Sequence, residues 1–202
     1  MILLPTYFSP ITHYIALANA DNIVFEVADN YQKQTYRTRC YIYSASGKQA
    51  LTIPALHPLR HKKTKDIQID YSFNWPKQHL KSIQIAYRSS PYFEFYEEEI
   101  VAIFDKKQKF LLDYNLQIQD IILELIQLDI SFSKTVTYSN TDALDLRFLA
   151  DAKSKRVSNL DSYFQVFSDK HGFIADLSIL DLLFMEGTNT LSYLESQTLK
   201  LM

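Results

Sequence analysis

The chain is 202 residues long, 47% hydrophobic, 22% charged and 14% aromatic, with a formal net charge of -2, the make-up of an ordinary globular protein and not of a disordered or fibrous one. Its three glycines, Gly47, Gly172 and Gly187, lie too far apart for either GxGxxG or GxxxxGK[ST], and its single cysteine, Cys40, excludes a disulfide framework, a CxxC pair and any multi-cysteine metal site. The charge is uneven: Tyr31 to Lys65 holds eight of the 21 basic residues and no Asp or Glu, which leaves the other 167 residues at a net -10.

Met1 to Ala20 begins apolar and carries Ala18-Asn19-Ala20, yet no Lys or Arg precedes Lys33, and Pro5, Ser9, Pro10, Thr12 and His13 interrupt the run. It therefore reads as folded structure and not as a secretory segment. Apolar runs elsewhere stop at about five residues, such as Ile100 to Phe104, far short of the roughly 18 that span a bilayer. No membrane span and a cytoplasmic location are expected.

Ile2 to Leu4 reads as a short strand, Pro5 to Pro10 as a turn, Ile11 to Asn19 as a helix and Asn22 to Val27 as a second strand. Arg37 to Tyr43 and Gln49 to Pro54 flank a serine and glycine turn and predict an antiparallel hairpin. Lys65 to Asp70 alternates like a half-buried strand, with Ile67 and Ile69 inward. Asn74-Trp75-Pro76 opens a helix with Leu80, Ile83 and Tyr87 on its apolar side, and Ser90-Pro91 reads as the cap and first residue of the next. Phe110 to Asp129 is a long amphipathic helix. Thr135 to Tyr138 and Tyr163 to Ser168 read as strands, and Ser178 with Asp181 as a capping box before a helix that Gly187 ends. Ala150 to Leu160 is polar and is expected to be mobile. The fold class that follows is α/β: a mixed sheet with an N-terminal strand-helix-strand unit, an antiparallel hairpin and a helix-rich second half, in one domain over residues 1–202.

Four constellations bear on chemistry. In Lys33 to Tyr41, strand alternation places Thr35, Arg37, Arg39 and Tyr41 on one face; paired arginine forks suit a phosphate or carboxylate, and an exposed strand with surface ion pairs is the other reading. Pro5 to Tyr14 is faintly similar to the FxPxHxGH opening of nucleotidylyltransferases, but Tyr14 and Ile15 replace its glycine and second histidine. Trp75 and His79 share a helix face, which makes His79 either an acid or base or a packed core residue. Cys40, opposite the two arginines, reads as a small buried core residue. Asp142, Asp145 and Arg147 form a polar cluster, read as an ion-paired turn. The five histidines show no metal-ligand spacing, so no metal is expected. Nucleic-acid domains run above pI 9 or so, against 6.2 here, so no nucleic acid is expected either.

Leu4-Pro5 with Tyr7-Phe8, the run Tyr31 to Cys40, Thr64-Lys65-Asp66-Ile67, Trp75 with His79, Ala86-Tyr87 with Ser90-Pro91-Tyr92-Phe93, Asp145-Leu146-Arg147, Tyr163 with Gln165 and Phe167, and Leu177 to Asp181 followed by Phe184 and Gly187 together resemble the WbqC-like family over nearly the whole chain. The resemblance implies a bacterial protein of surface-polysaccharide or O-antigen synthesis, and so a role with a sugar nucleotide. Joined to the basic segment, it leads to an expected small-molecule anion such as a sugar nucleotide, bound by Lys33, Arg37, Arg39 and Lys65. Tyr7 and Tyr36 are the expected stacking surfaces and His79 the expected acid or base of a glycosyl or acyl transfer that needs no cofactor. The alternatives are a non-catalytic partner of other polysaccharide enzymes and a degenerate nucleotidylyltransferase.

Overall fold

The computed structural model describes residues 1–57, 62–138, 144–153 and 159–199. It places β1 (Ile2–Leu3), α1 (Ile11–Ala18) and β2 (Ile23–Phe25) as a strand-helix-strand unit, followed by the hairpin β3 (Arg39–Ser44) and β4 (Gly47–Thr52). The helices α2 (Trp75–Tyr87), α3 (Phe93–Asp105) and α4 (Leu111–Leu125) come next, then β5 (Phe132–Lys134) and the short helices α5 (Ser168–His171), α6 (Ile179–Glu186) and α7 (Thr190–Ser196). The expected mixture of parallel and antiparallel pairing is present, divided between two sheets: β1, β2 and β5 run parallel in the order β1-β2-β5, and β3 pairs antiparallel with β4. Ile2 also bridges Asp145 in parallel on the outer edge of β1. Among the described residues no helix is long and apolar enough to cross a membrane.

Burial explains the helices. α1 buries all but its last residue and packs against α6 and α7, so it is apolar nearly all round. α2 starts where expected, with the Asn74 side chain accepting from the Lys77 N–H at 3.4 Å and Pro76 in its first turn. It buries Trp75, His79, Ile83 and Tyr87 and leaves Lys77, Lys81 and Arg88 exposed. The hairpin turns tightly at Gly47, whose φ of 96° suits glycine.

Several elements differ from the sequence pattern, each because a side chain or a distant segment takes over the backbone. Ile67 and Ile69 are buried as the alternation requires, but Thr64–Asp66 is a 3-10 turn. The backbone beyond it pairs alternately with 54–56 and with 109–111, so only isolated bridges form. Tyr163 to Ser168 is not a strand: the Gln165 side chain satisfies both backbone groups of Ile174, at 2.9 and 3.0 Å, in place of a neighbouring strand. The strand expected at Thr135 lies at Phe132–Lys134, where it can reach β2. α3 begins at Phe93, since the Ser90 hydroxyl instead donates back to the Tyr87 carbonyl at 2.6 Å. α4 stops at Leu125, and Gln127 turns the chain with φ 58°. Of Ala150 to Leu160, residues 154–158 lie outside the described residues, as do Arg60, His61 and Asp142.

Ser178 caps α6, its hydroxyl accepting from the Leu180 N–H, but Asp181 does not complete the box. Its carboxylate is fully buried and accepts from the hydroxyls of Tyr87 (2.8 Å) and Tyr163 (2.6 Å) and from the Gln165 amide (2.8 Å). Burial raises its pKa, and these three donors act in the opposite direction. Tyr87 OH accepts in turn from the Tyr43 N–H at 3.0 Å, so one carboxylate ties together α6, α2, the segment at 163–165 and β3.

At the end of α6, Gly187 has φ 55° and lies so close to Tyr92 that an added Cβ would meet the ring at 2.6 Å. Gly187→Ala is therefore expected to destabilise by about 1–3 kcal/mol, read as a fall of several degrees in Tm by thermal denaturation. An unchanged Tm would contradict this packing.

Candidate functional site

Three segments leave the parallel sheet at the carboxyl ends of their strands: Leu4 after β1, Glu26 to Asn30 after β2, and Thr135 to Tyr138 after β5. Ligands of open α/β sheets bind at this edge. Here a cleft of about 700 Å³ is lined by Leu4, Asp29, Thr35 and Arg37, by Tyr138, Asp145, Arg147 and Phe148, and by Lys33, Asp151 and Lys153. Its volume falls in the range of roughly 300–1,000 Å³ usual for small-molecule sites.

Arg37 is placed by backbone on both sides. The Tyr7 N–H donates to the Tyr36 carbonyl at 2.8 Å and the Tyr36 N–H to the Ala150 carbonyl at 2.9 Å, while Asn115 of α4 donates to the carbonyls of Arg37 (2.9 Å) and Pro5 (3.4 Å). Lys33 to Thr38 is consequently a turn, with Gln34 at φ 61°, and the strand begins only at Arg39. The expected shared face of Arg37 and Arg39 does not form. Arg37, 3% exposed, is ion-paired with Asp29 through Nη2, donates from Nη1 to the Thr35 hydroxyl at 3.3 Å, and has no hydrogen-bond partner at Nε. Asp29 Oδ1 likewise has none.

A second polar system braces another part of the lining. Glu26, fully buried at the end of β2, accepts from the Ala28 N–H and the Thr135 hydroxyl, both at 2.7 Å, and lies 3.5 Å from Arg147 Nη1. Arg147 also pairs with Asp145 at 2.6 Å, the ion-paired turn expected of those two residues. The guanidinium holds the Asp145 carboxyl below its usual range. It also lies over the Tyr138 ring, 4.7 Å from the centroid.

Of the residues expected from the sequence to bind the ligand or act on it, the cleft brings together Lys33 and Arg37, and with them Thr35 and the Asp145–Arg147 pair. Lys65 is exposed on the 3-10 turn, and Arg39 is half-buried opposite Thr52. Tyr36 is buried and edge-on to Tyr41, 5.9 Å between centroids. Tyr7 is fully buried beside Phe8 and Tyr114, and a hydrogen bond of 2.9 Å joins its hydroxyl to His79 Nδ1. His79 also lies against Trp75, and burial lowers its pKa to about 4. Burial pushes the Cys40 thiol up, as suits a core residue. Among the described residues no three His, Cys, Asp or Glu side chains come together as a metal site.

The sequence reading passed over Asp29, Tyr138, Phe148 and Lys153. Asp29 carried one signal, as the last acid before the acid-free stretch that contains its partner.

The sequence profile of the WbqC-like protein family matches residues 5–161, a range that holds every cleft residue named above except Leu4. No curated protein and no solved structure matches the chain.

Two buried histidines predict acid sensitivity. His13, fully buried, stacks on Phe25 with neither ring nitrogen hydrogen-bonded, and burial lowers its pKa from 6.5 to about 3. Both His13 and His79 are neutral in the fold and take up protons on unfolding, so their contribution is complete above pH 6.5 and is lost as pH falls toward the folded values. His13→Phe removes no hydrogen bond. It is expected to reduce the loss of stability between pH 7 and pH 5 by about 2 kcal/mol, measured by urea unfolding at the two pH values.

Proposed function

Because the chain belongs to the WbqC-like protein family, we propose that it binds a sugar nucleotide, or a closely related phosphorylated sugar, for bacterial surface-polysaccharide synthesis. The cleft at the carboxyl ends of the parallel strands is its binding site. The anionic part of this reading rests on Arg37: a guanidinium 3% exposed, in the wall of a cleft, with one N–H left unpaired. A buried donor without a partner costs free energy, about 1–3 kcal/mol or more for a charged group, and a phosphoryl oxygen supplies the missing acceptor. Lys33, Arg147 and Lys153 line the same cleft and favour the same charge. Asp29 Oδ1, unpaired beside Arg37, offers an acceptor to a sugar hydroxyl. The saccharide part of the reading is supported by what the family resemblance implies.

The test is a thermal-shift screen of the wild-type protein against nucleoside diphosphate sugars and sugar 1-phosphates. At 100 times its dissociation constant a ligand stabilises by about 2.7 kcal/mol, or roughly 5–10 °C for a chain of this size. Lys33 and Lys153 sit on the cleft lining, and the variant carrying both Lys33→Ala and Lys153→Ala is expected to keep the wild-type Tm without ligand. It should bind about 10-fold more weakly, with the remaining affinity less sensitive to salt. Absence of a shift with every phosphorylated sugar, or equal binding by the double variant, would overturn the assignment.

A further inference from the structure

We propose that Tyr138, with Phe148 also on the cleft lining, is the stacking platform for a nucleobase, which makes the ligand of this cleft a nucleoside diphosphate derivative and not a simple sugar phosphate. This rests on the anion reading above and adds a second subsite to it. Tyr138 is 53% exposed and Phe148 39% exposed, and both line the cleft that holds Arg37. Single exposed aromatics are ordinary on a protein surface; two in the lining of one charged cleft are a more specific arrangement.

The Tyr138 ring is also held. The Arg147 guanidinium covers it at 4.7 Å, and that guanidinium is itself fixed by Asp145 at 2.6 Å and by Glu26 at 3.5 Å from the end of β2. A ring backed by a cation and braced to a strand end, yet more than half open, loses little conformational freedom when a second π-system stacks on it. Bases stack on aromatic side chains with little regard to their identity, because every base has a π-face. Arg147 then serves both subsites, as the backing of the platform and as a positive charge beside the phosphates.

The experiment compares inorganic diphosphate, the diphosphates of the five common nucleosides and glucose 1-phosphate by titration calorimetry. The proteins are the wild type, Tyr138→Ala and Tyr138→Phe; an exposed side chain can be truncated without disturbing the core. At least one nucleoside diphosphate is expected to bind the wild type about 10-fold or more tightly than inorganic diphosphate. Tyr138→Ala should abolish that advantage with inorganic diphosphate unchanged, and Tyr138→Phe should retain it.

Nucleoside diphosphates that bind no better than inorganic diphosphate, or that keep their advantage in Tyr138→Ala, would overturn the platform and leave the anion site standing. A Tyr138→Ala defect confined to glucose 1-phosphate would overturn it in favour of a pyranose surface. If inorganic diphosphate, the nucleoside diphosphates and glucose 1-phosphate all fail to bind, the anion reading fails and the platform with it; binding of glucose 1-phosphate alone overturns only the platform.

Discussion

The buried carboxylate of Asp181 is the constraint on which the other arrangements depend. An ionised carboxylate withdrawn from water is tolerated only when its oxygens are hydrogen-bonded, and here Tyr87, Tyr163 and Gln165 supply the donors from segments far apart in the chain. Two of the three donors are committed a second time, Tyr87 to the Tyr43 N–H and Gln165 to Ile174, so the carboxylate sets the relative positions of the hairpin, α2 and the segment before α5. α6 carries Asp181 in its first turn and is joined at its start to the loop after β1, through Ile179 N–H to the Ser9 carbonyl and Ser178 Oγ to the Phe8 carbonyl. That loop holds Tyr36 in place, and the next residue is Arg37. The path from α6 to the cleft wall thus runs through three directional bonds, each of which weakens steeply when its partner is displaced.

The ion pair of Arg37 and Asp29 is a different kind of feature. Buried pairs seldom add net stability, because desolvation of both charges offsets their attraction. This one leaves a donor and an acceptor unpaired besides. The Asp181 cluster, in contrast, uses both carboxylate oxygens and brings four segments together. The Asp181 cluster thus satisfies its own oxygens inside the core, while the Arg37–Asp29 pair keeps an unused donor and acceptor where it lines the cleft, a departure from local rules expected at a site with another purpose.

Much of the architecture was legible from periodicity and caps. α1, α2 and α4 follow their apolar spacing, the hairpin follows its serine and glycine turn, and Asn74, Ser178 and Gly187 mark helix ends as their chemistry suggests. Three of the differences share one cause: a side chain took over a hydrogen bond that a ladder or cap was expected to make. Gln165 replaced a strand neighbour, Ser90 turned back to Tyr87, and Asp181 left the capping box for the core. Local patterns record which residues are inward-facing and not which distant group will satisfy them, so Ile67 and Ile69 were placed correctly by burial while the strand around them was not.

The candidate site was legible in half. An acid-free run of basic residues announced positive charge, and Lys33 and Arg37 do reach the cleft. The pairing of Arg37 with Asp29, the brace from Glu26 to Arg147 and the exposure of Tyr138 were invisible, because each is set in the segments outside the strands, whose placement follows a strand order that no local spacing encodes. By itself the sequence determined the α/β class, the helices, the hairpin and the family, since those depend on periodicity, turn chemistry and the order of short strings. Only the tertiary structure decided which charges meet and which aromatics stay open to solvent. Those outcomes are set by how strand ends from residues 4, 26 and 135 converge in space, and convergence is a property of packing and not of neighbourhood along the chain.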